Sequence, residues 1–469
     1  MKPQDKKQGD RGLGLLVEQW EEMCADGRVE YFECTSFEDL SSYYEQRNEI
    51  GKALEVCQIA GEQHPFTSFF FIKQAEFFLE QEEILNALDM LTKARSLDSE
   101  EIRIMLIEAA IHIHQKQFAY ALSLVDDIKT LISEKELNQY LQHKIENFRQ
   151  MENLRFELVY LQLSALSNYE SSNTFQKLAD FVSRNKLHEE SIRFQKQILD
   201  ERPFAQNVWI ALGDAFSGIQ LFEKAIEAYS YAIAIDGNEA EALLKTGENL
   251  LHLDQFNEAV EVLEESLKVG GDEIAILLLL GKTLLKLDRS VEAKNCFQRV
   301  LQLETENKAA LFEVAEIDRL NGDFEKSLKR FEQLIKLEPD NLRFKQLYAQ
   351  LSHLTGNYQN AVEIYLEAIR ENPYNKELWL ELSSCYFDLE YYTEAIDVIF
   401  AALDMLEDDA DLMYICFVYL VKAGRKSEGF EYLERALSID FQKHELLFDL
   451  YPEFENQTAA SLMIEQFRP

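Results

Sequence analysis

Residues 206–239 read QNVWIALGDAFSGIQLFEKAIEAYSYAIAIDGNE, and this stretch decides how the chain folds. Trp209, Leu212 and Phe216 are spaced by three and then four residues, which places them on one apolar face of a first helix. Further along, Tyr229 belongs to the apolar face of a second helix. The segment therefore predicts a helical hairpin, in which two helices are joined by a short turn.

The same pattern returns with a period of 34 residues. Pro203, Pro339 and Pro373 are separated by four periods and one period of 34, and Pro65 lies four periods plus two residues before Pro203. A proline lacks an amide donor and disfavours helix in the residue before it, so it ends the second helix of a unit. A fixed period of this length predicts a stack of similar hairpins. We number the positions of each 34-residue unit as places 1 to 34, so that these prolines stand at place 32. Units then begin at residues 34, 68, 102, 172, 206, 240, 274, 308, 342, 376 and 410.

Two places in each unit carry small residues. Ala, Gly or Ser fills 21 of the 22 positions at places 8 and 20, and the exception is Phe417. Small side chains at a helix crossing let the two helices approach to the lower end of the usual interaxial range of about 8–10 Å. Place 8 carries Ser41, Ala75, Ala109, Ala179, Gly213, Gly247, Gly281, Ala315, Ala349, Ser383 and Phe417, and place 20 carries Ala53, Ala87, Ala121, Ser191, Ala225, Ala259, Ala293, Ser327, Ala361, Ala395 and Gly429.

Place 15 carries residues that end helices. Asn, Asp and Gly tolerate a left-handed backbone, which is the usual conformation just after a helix. This place therefore predicts the turn between the two helices of a unit. The residues there include Asn48, Asp254, Asp288, Gly322, Gly356 and Gly424.

These repeats resemble the tetratricopeptide repeat family. The family pattern W-x2-L-G-x2-Y…A-x3-F…A…P reads here as Trp209, Leu212, Gly213, Phe216, Ala225, Tyr229 and Ala232, and its second half recurs as Ala361, Tyr365, Ala368 and Pro373. The resemblance implies an all-α, right-handed solenoid of about twelve helix-turn-helix repeats. It also implies that the first helices line a concave surface that binds partners, and it implies no catalytic activity.

Five segments follow from the register. Residues 1–33 are expected to form an N-terminal capping helix region, and 34–131 an N-terminal array of repeats. Residues 132–171 fit the pattern badly and contain two extra residues, so they are predicted to be either a long-helix repeat or a joint between arrays. Residues 172–443 are predicted to form eight further repeats, and 444–469 C-terminal capping helices.

Composition narrows the classes of partner. The chain has 85 acidic and 47 basic residues and a net charge of −38, which disfavours nucleic acid and anionic membranes as partners. No stretch approaches 18 apolar residues, so membrane insertion is not expected. The six cysteines show no C-x-x-C spacing, and the N-terminus does not resemble a signal peptide. These features predict a cytoplasmic protein, without disulfides or bound metal.

The sequence offers no catalytic motif. It lacks the phosphate-binding, nucleophile-elbow, zinc-protease and dinucleotide-binding patterns. His112 and His114 are two residues apart, which places them on different faces of a helix rather than on one metal. We therefore expect no enzyme activity and no cofactor.

The resemblance implies that places 2, 5, 6, 9, 12 and 13 of each first helix face inward, and these inner-face places form the predicted binding surface. In one subclass of the family, lysine and asparagine at these places hold a partner's C-terminal carboxylate. That arrangement is absent here, since the corresponding residues include Ile210 and Asp214. The candidate binding residues are Asn207, Asp214, Glu241, Glu248, Lys282, Glu313, Glu316, Arg319, Arg343, Gln346, Gln350, Glu377, Glu381 and Asp388.

The predicted function is a non-catalytic scaffold or adaptor. An acidic groove with aromatic residues suits a basic or amphipathic protein segment, because charge guides the encounter and aromatic side chains anchor it. Two alternatives stay open: a peptide-responsive regulator, and an accessory subunit recruited to an envelope or glycan-assembly enzyme. The sequence does not determine the oligomeric state.

Overall fold

Regular structure in the computed structural model of the chain is helical throughout the residues described, which are 3–28, 30–99, 101–236, 239–450 and 458–468. The expected all-α solenoid of helical hairpins is confirmed, and twelve hairpins lie within these residues. The chain divides into two compact units, Met1–Gly271 and Asp272–Pro469.

The first unit contains a terminal helix and seven hairpins. Its helices are α1 (Pro3–Asp26), α2 (Cys34–Gln46), α3 (Ile50–Gln63), α4 (Ser68–Glu80), α5 (Ile84–Leu97), α6 (Ile102–His114), α7 (Phe118–Leu131), α8 (Glu134–Gln150), α9 (Leu154–Ser167), α10 (Ser172–Asn185), α11 (His188–Glu201), α12 (Gln206–Gly218), α13 (Phe222–Ile235), α14 (Ala240–His252) and α15 (Phe256–Val269).

The second unit contains five hairpins and the C-terminal helices. They are α16 (Glu273–Lys286), α17 (Ser290–Leu303), α18 (Lys308–Leu320), α19 (Phe324–Leu337), α20 (Leu342–Leu354), α21 (Tyr358–Glu371), α22 (Lys376–Asp388), α23 (Tyr392–Met405), α24 (Ala410–Lys422), α25 (Lys426–Ile439), a 3₁₀ turn (Phe441–His444), α26 (Glu445–Leu450) and α27 (Thr458–Gln466). Residues 451–457, within the predicted capping segment 444–469, lie outside the described residues.

The turn inside each hairpin follows the predicted period. All six residues named at place 15 have a positive φ, from 58° at Asp254 to 82° at Gly424. The residue at place 15 also has a left-handed backbone conformation in the other units, although its type is not one that favours this conformation. These residues are Glu82, Lys116, Glu152, Lys186, Gln220 and Glu390, so the spacing is 34 throughout except for 36 between Lys116 and Glu152.

The predicted helix crossings are confirmed by burial. Except for Ala179, which is partly exposed, every residue at places 8 and 20 is buried. A Cβ atom added at Gly213 would lie 2.3 Å from the Tyr229 ring, and one added at Gly281 would lie 2.6 Å from the Phe297 ring. Real side chains do not approach so closely, so these crossings have no room for an alanine.

The two extra residues lie in the irregular hairpin α8–α9. Helix α8 begins with a capping box between Ser133 and Glu136 and extends over 17 residues, whereas other first helices have 13 or 14. Helix α9 is buried on nearly all sides and packs against α6, α7, α8 and α10, while α7 also packs against α11. Residues 132–171 lie inside the first unit. Their role as a joint between two arrays stays a prediction.

The N-terminal segment is one helix that covers the first hairpin. Trp20 of α1 lies 6.0 Å, centroid to centroid, from the rings of both Phe32 and Phe37. Helix α1 begins at Pro3, so it is longer than the amphipathic stretch that the sequence indicates. At the other end, α27 packs against α25 and α26 packs against α24.

Candidate functional site

Three acidic residues occupy the same inner-face place in consecutive hairpins of the first unit. Asp180, Asp214 and Glu248 are 34 residues apart and stand at place 9 of α10, α12 and α14. All three line one cavity of about 320 Å³, which we call the first-unit cavity. Helix α11 closes one side of it with His188, Ser191 and Gln195.

Asp214 is the most constrained of these acids. Its carboxylate accepts hydrogen bonds from the Tyr229 hydroxyl at 2.8 Å and from the Lys245 ammonium at 2.7 Å. Burial raises the pKa of Asp214, although Lys245 and Tyr229 favour its ionised form. Lys245 also pairs with Glu241 at 3.0 Å. This lysine is therefore shared between two acids.

Glu248 lies at the mouth of the cavity and makes no ion pair with the described residues. Partial desolvation of its carboxylate, assisted by Asp214 and opposed by Lys245, raises the pKa of Glu248. A carboxylate with a raised pKa is one whose negative charge is insufficiently compensated. The cavity therefore brings three carboxylates together with one ammonium, that of Lys245, among its lining residues.

Asn207, another predicted binding residue, has a structural contact instead. Its amide nitrogen donates to the Glu170 carbonyl at 2.8 Å and so joins the start of α12 to the turn after α9. Its side chain is half-buried. It does not line the first-unit cavity.

In the second unit, several predicted residues are bonded to one another. Glu381 accepts hydrogen bonds from the amides of Gln346, at 3.2 Å, and Gln350, and these bonds connect α20 to α22. The Oε2 atom of Glu381 is buried without a hydrogen-bond partner in the described chain. On the same two helices, Asp388 lies 2.7 Å from Nε2 of His353. Glu377 is exposed on α22.

The remaining candidates lie on α16, α18 and α20. Glu316 and Arg319 form an ion pair at 2.8 Å. Burial raises the pKa of Glu313, opposed by the field of Lys282 and assisted by that of Glu316. Arg343 places its guanidinium 5.0 Å from the centre of the Phe312 ring. Lys282 and Arg343 are both exposed, so this part of the surface has mixed charge.

The first unit also contains a buried charged cluster that was not predicted from the sequence. Glu76 of α4 is 6% exposed and pairs with Lys144 of α8 at 2.9 Å and with Lys73 at 3.1 Å. Although burial opposes ionisation, Lys144 and Lys73 lower the pKa of Glu76 to about 2. One turn further along α4, burial raises the pKa of Glu80 to about 8, with Lys144 opposing the shift.

Part of this cluster could have been predicted from the positions of its residues within the repeat. Lys73, Glu76 and Glu80 stand at places 6, 9 and 13 of their unit, which are inner-face places. Lys144 lies in the irregular hairpin, where the register is lost. A second buried group, Asp318 between Lys294 and Arg330, was also not predicted.

Within the described parts of the chain, no group of three or more His, Cys, Asp and Glu side chains is placed to hold a metal ion. In the same residues, no helix has the length and apolar character needed to cross a membrane.

Comparison with known proteins supports the resemblance. The family profile described as Tetratricopeptide repeat matches residues 319–376 and 355–410. Similar solved structures include YrrB, described as a TPR protein with an unusual peptide-binding site, at 21% identity over 39% of this chain and 94% of that chain, with a TM-score of 0.35. Another is pilF of Pseudomonas aeruginosa, at 20% identity over 47% and 98% of the two chains, with a TM-score of 0.39. No curated protein matches the sequence.

The stacked hairpins define the class of this molecule as a helical repeat protein. The match over 319–410 and the 34-residue period of the other hairpins support a protein of the tetratricopeptide repeat family. Proteins of this family generally mediate protein–protein interactions, and their fold is typically a non-catalytic scaffold.

Proposed function

We propose that this protein is a non-catalytic adaptor that binds a basic or amphipathic protein segment along the inner-face places of its first helices. The observation that carries the proposal is the convergence of Asp180, Asp214 and Glu248 on one cavity. Three carboxylates and a single ammonium, that of Lys245, are among the residues lining it. Partial desolvation, assisted by the charge of Asp214, raises the pKa of Glu248, and a positively charged partner would favour its ionised form.

The strongly negative charge of the chain supports the same partner chemistry. A net charge of −38 attracts a basic segment over a distance set by the Debye length, which is about 8 Å at physiological ionic strength. Such attraction increases the rate of association more than the final affinity. The proposed setting is the cytoplasm, since Cys57, Cys385 and Cys416 are buried thiols outside any disulfide.

The test uses two synthetic helical peptides with the same apolar residues, one carrying lysine and arginine at its polar positions and the other glutamate. Fluorescence anisotropy should show binding of the basic peptide to the full chain, with an affinity that falls as salt increases. The acidic peptide should not bind. Equal binding of both peptides, or of neither, would contradict the proposal.

Two double variants distinguish the contribution of the inner-face acids to peptide binding from that of the overall charge of the chain. E248K with E377K changes two exposed inner-face acids, and E261K with E265K changes two exposed acids of the second helix α15 by the same net charge. The first pair should slow association of the basic peptide several-fold more than the second pair. Equal effects would show that the attraction comes from the whole chain rather than from the inner-face places.

A further inference from the structure

The first-unit cavity contains two buried amides whose oxygen atoms have no hydrogen-bond partner among the described residues. Gln195 and Asn249 are each 2% exposed. Their nitrogen atoms are engaged, since Gln195 donates to the Ser191 hydroxyl at 3.0 Å and Asn249 donates to the Lys245 carbonyl at 2.8 Å. Oε1 of Gln195 and Oδ1 of Asn249 accept no hydrogen bond from the described chain.

Unpartnered acceptors of this kind point to a missing donor. A buried acceptor without a hydrogen bond costs about 1–3 kcal/mol, and native structures contain few of them. Here two such atoms line the same cavity, together with the buried and likewise unpartnered Nδ1 of His188. Their convergence in one cavity indicates a place where a ligand supplies the donors.

The charge of the cavity selects a cationic donor. Asp180, Asp214 and Glu248 line it, and Lys245 is already paired with Asp214 and Glu241. The Asp180 carboxylate accepts a bond from the Gln176 amide at 3.0 Å and has no cation paired with it in the described chain. An incoming cation would therefore find two carboxylates without an ion-pair partner.

The number and kind of acceptors favour arginine over lysine. A guanidinium is planar and has five N–H donors, whereas an ammonium is a compact charge with three. The three donors of an ammonium are used up by the two amide oxygens and one carboxylate, whereas the planar guanidinium can satisfy these three acceptors and still donate to the second carboxylate. The volume of about 320 Å³ is at the lower end for a ligand pocket, which suits one side chain rather than a whole peptide.

The glycine at residue 218 helps to form this cavity. A Cβ atom at Gly218 would lie 2.2 Å from Cε1 of His188, so a larger residue would displace the imidazole ring. The ring of His188 therefore occupies its position beside α12 because residue 218 has no side chain. In this position His188 lines the cavity.

We propose that the first-unit cavity is a subsite for one arginine side chain of a bound protein segment. This inference rests on the proposed function and specifies it, because it names the side chain that the acidic surface selects. The guanidinium would donate to Oε1 of Gln195, to Oδ1 of Asn249 and to the Glu248 or Asp180 carboxylate.

The experiment measures selectivity rather than affinity alone. Three short peptides of lysine are compared on the full chain by fluorescence anisotropy: one with a central arginine, one all-lysine, and one with a central citrulline. The arginine peptide should bind about ten-fold more tightly than the all-lysine peptide of equal charge, as expected for hydrogen bonds to a charged group. The citrulline peptide, which lacks the charge, should bind no better than the all-lysine peptide.

Variants of nearly the same shape test whether the preference for arginine depends on the two amide oxygens. Q195M and N249L remove the acceptors, so they should abolish the preference for arginine and leave binding of the all-lysine peptide unchanged. Q74M, which alters a buried amide of α4 outside the cavity, is the matched control and should keep the preference. If Q195M or N249L fails to fold, Q195N provides the same test, because it keeps a polar amide at this position but withdraws its oxygen by one methylene.

The outcomes distinguish the two proposals. If all peptides bind with equal affinity, the adaptor function stands and the arginine subsite is wrong. If the preference for arginine survives in Q195M and N249L, the subsite is also wrong, because the selectivity lies elsewhere. If no peptide binds at any salt concentration, both proposals are wrong.

Discussion

Replacement of Glu80 by glutamine should stabilise the first unit relative to the parent chain, and this gain in stability should grow as the pH rises from 5 to 8. In the folded chain, burial raises the pKa of Glu80 from 4.5 to about 8, with Lys144 opposing the shift and Glu76 adding to it. Glu80 therefore holds its proton more tightly in the folded than in the unfolded chain. Below pH 4.5 it is protonated in both states and has no effect on stability. Between 4.5 and 8, folding requires uptake of a proton, so the parent loses stability as the pH rises through this range.

The expected magnitude follows from the shift in pKa. A difference of about 3.5 pKa units corresponds to about 5 kcal/mol at 1.36 kcal/mol per unit, and this is an upper bound. Part of the Glu80 side chain reaches solvent, so screening reduces the expected gain of E80Q to about 2 kcal/mol at pH 8. At pH 5 the gain should be a small fraction of that value.

The assay is urea unfolding of the full chain followed by tryptophan fluorescence. The three tryptophans are Trp20, Trp209 and Trp379, so a W379F background restricts the signal to the first unit. E62Q, which removes an exposed carboxylate from α3, is the matched control and should show no such pH dependence. Parallel stability curves for E80Q and its parent between pH 5 and 8 would refute the reasoning.

Three other substitutions test the packing and the buried charges. A225F should destabilise its hairpin by about 1–3 kcal/mol through overpacking at the helix crossing, and an unchanged melting temperature would show that the crossing is misplaced. D318N should cost about 3–5 kcal/mol in urea unfolding, because it leaves two partly buried cations without their shared carboxylate. E76Q should destabilise the first unit by leaving Lys144 unpaired, and this difference should vanish in acid titrations as the pH falls from about 4.5 to about 2, since the pKa of Glu76 is lowered to about 2.

The repeating elements of the fold were predictable because each unit meets the same steric requirement. The crossings admit only small residues, and beside Gly213, where the Tyr229 ring fills the space, there is no room even for an alanine. The exception at Phe417 follows the same rule, since its partner at place 20 is Gly429 and the crossing stays filled. Large and small residues exchange places there, and the hairpin is retained.

Other features depended on contacts that a register does not encode. A left-handed φ of 65° at Glu82 is set by its position in the hairpin rather than by a preference of glutamate for that conformation. Likewise, Lys245 at place 6 pairs with Asp214 at place 9 of the preceding unit, a pairing that depends on how adjacent hairpins stack. The candidate list therefore included the acid and omitted the cation that it binds.

The irregular hairpin explains why the candidate site lies where it does. The sequence LRFELVYLQLSALS of α9 is apolar around most of its circumference, which is typical of a helix buried on all sides. With α9 in the interior, α8 brings Lys144 and Tyr140 against Glu76, so this place-9 acid is neutralised by the chain itself. The next acids at place 9 are Asp180, Asp214 and Glu248, where no such helix intrudes and a single lysine balances three carboxylates among the lining residues. Two carboxylates at the same place of the repeat thus differ: Glu76 is paired with lysines inside the fold, whereas Glu248 is exposed and is proposed to bind a partner. A neutral side chain at Glu76 should therefore alter stability with little effect on peptide binding, whereas one at Glu248 should do the reverse.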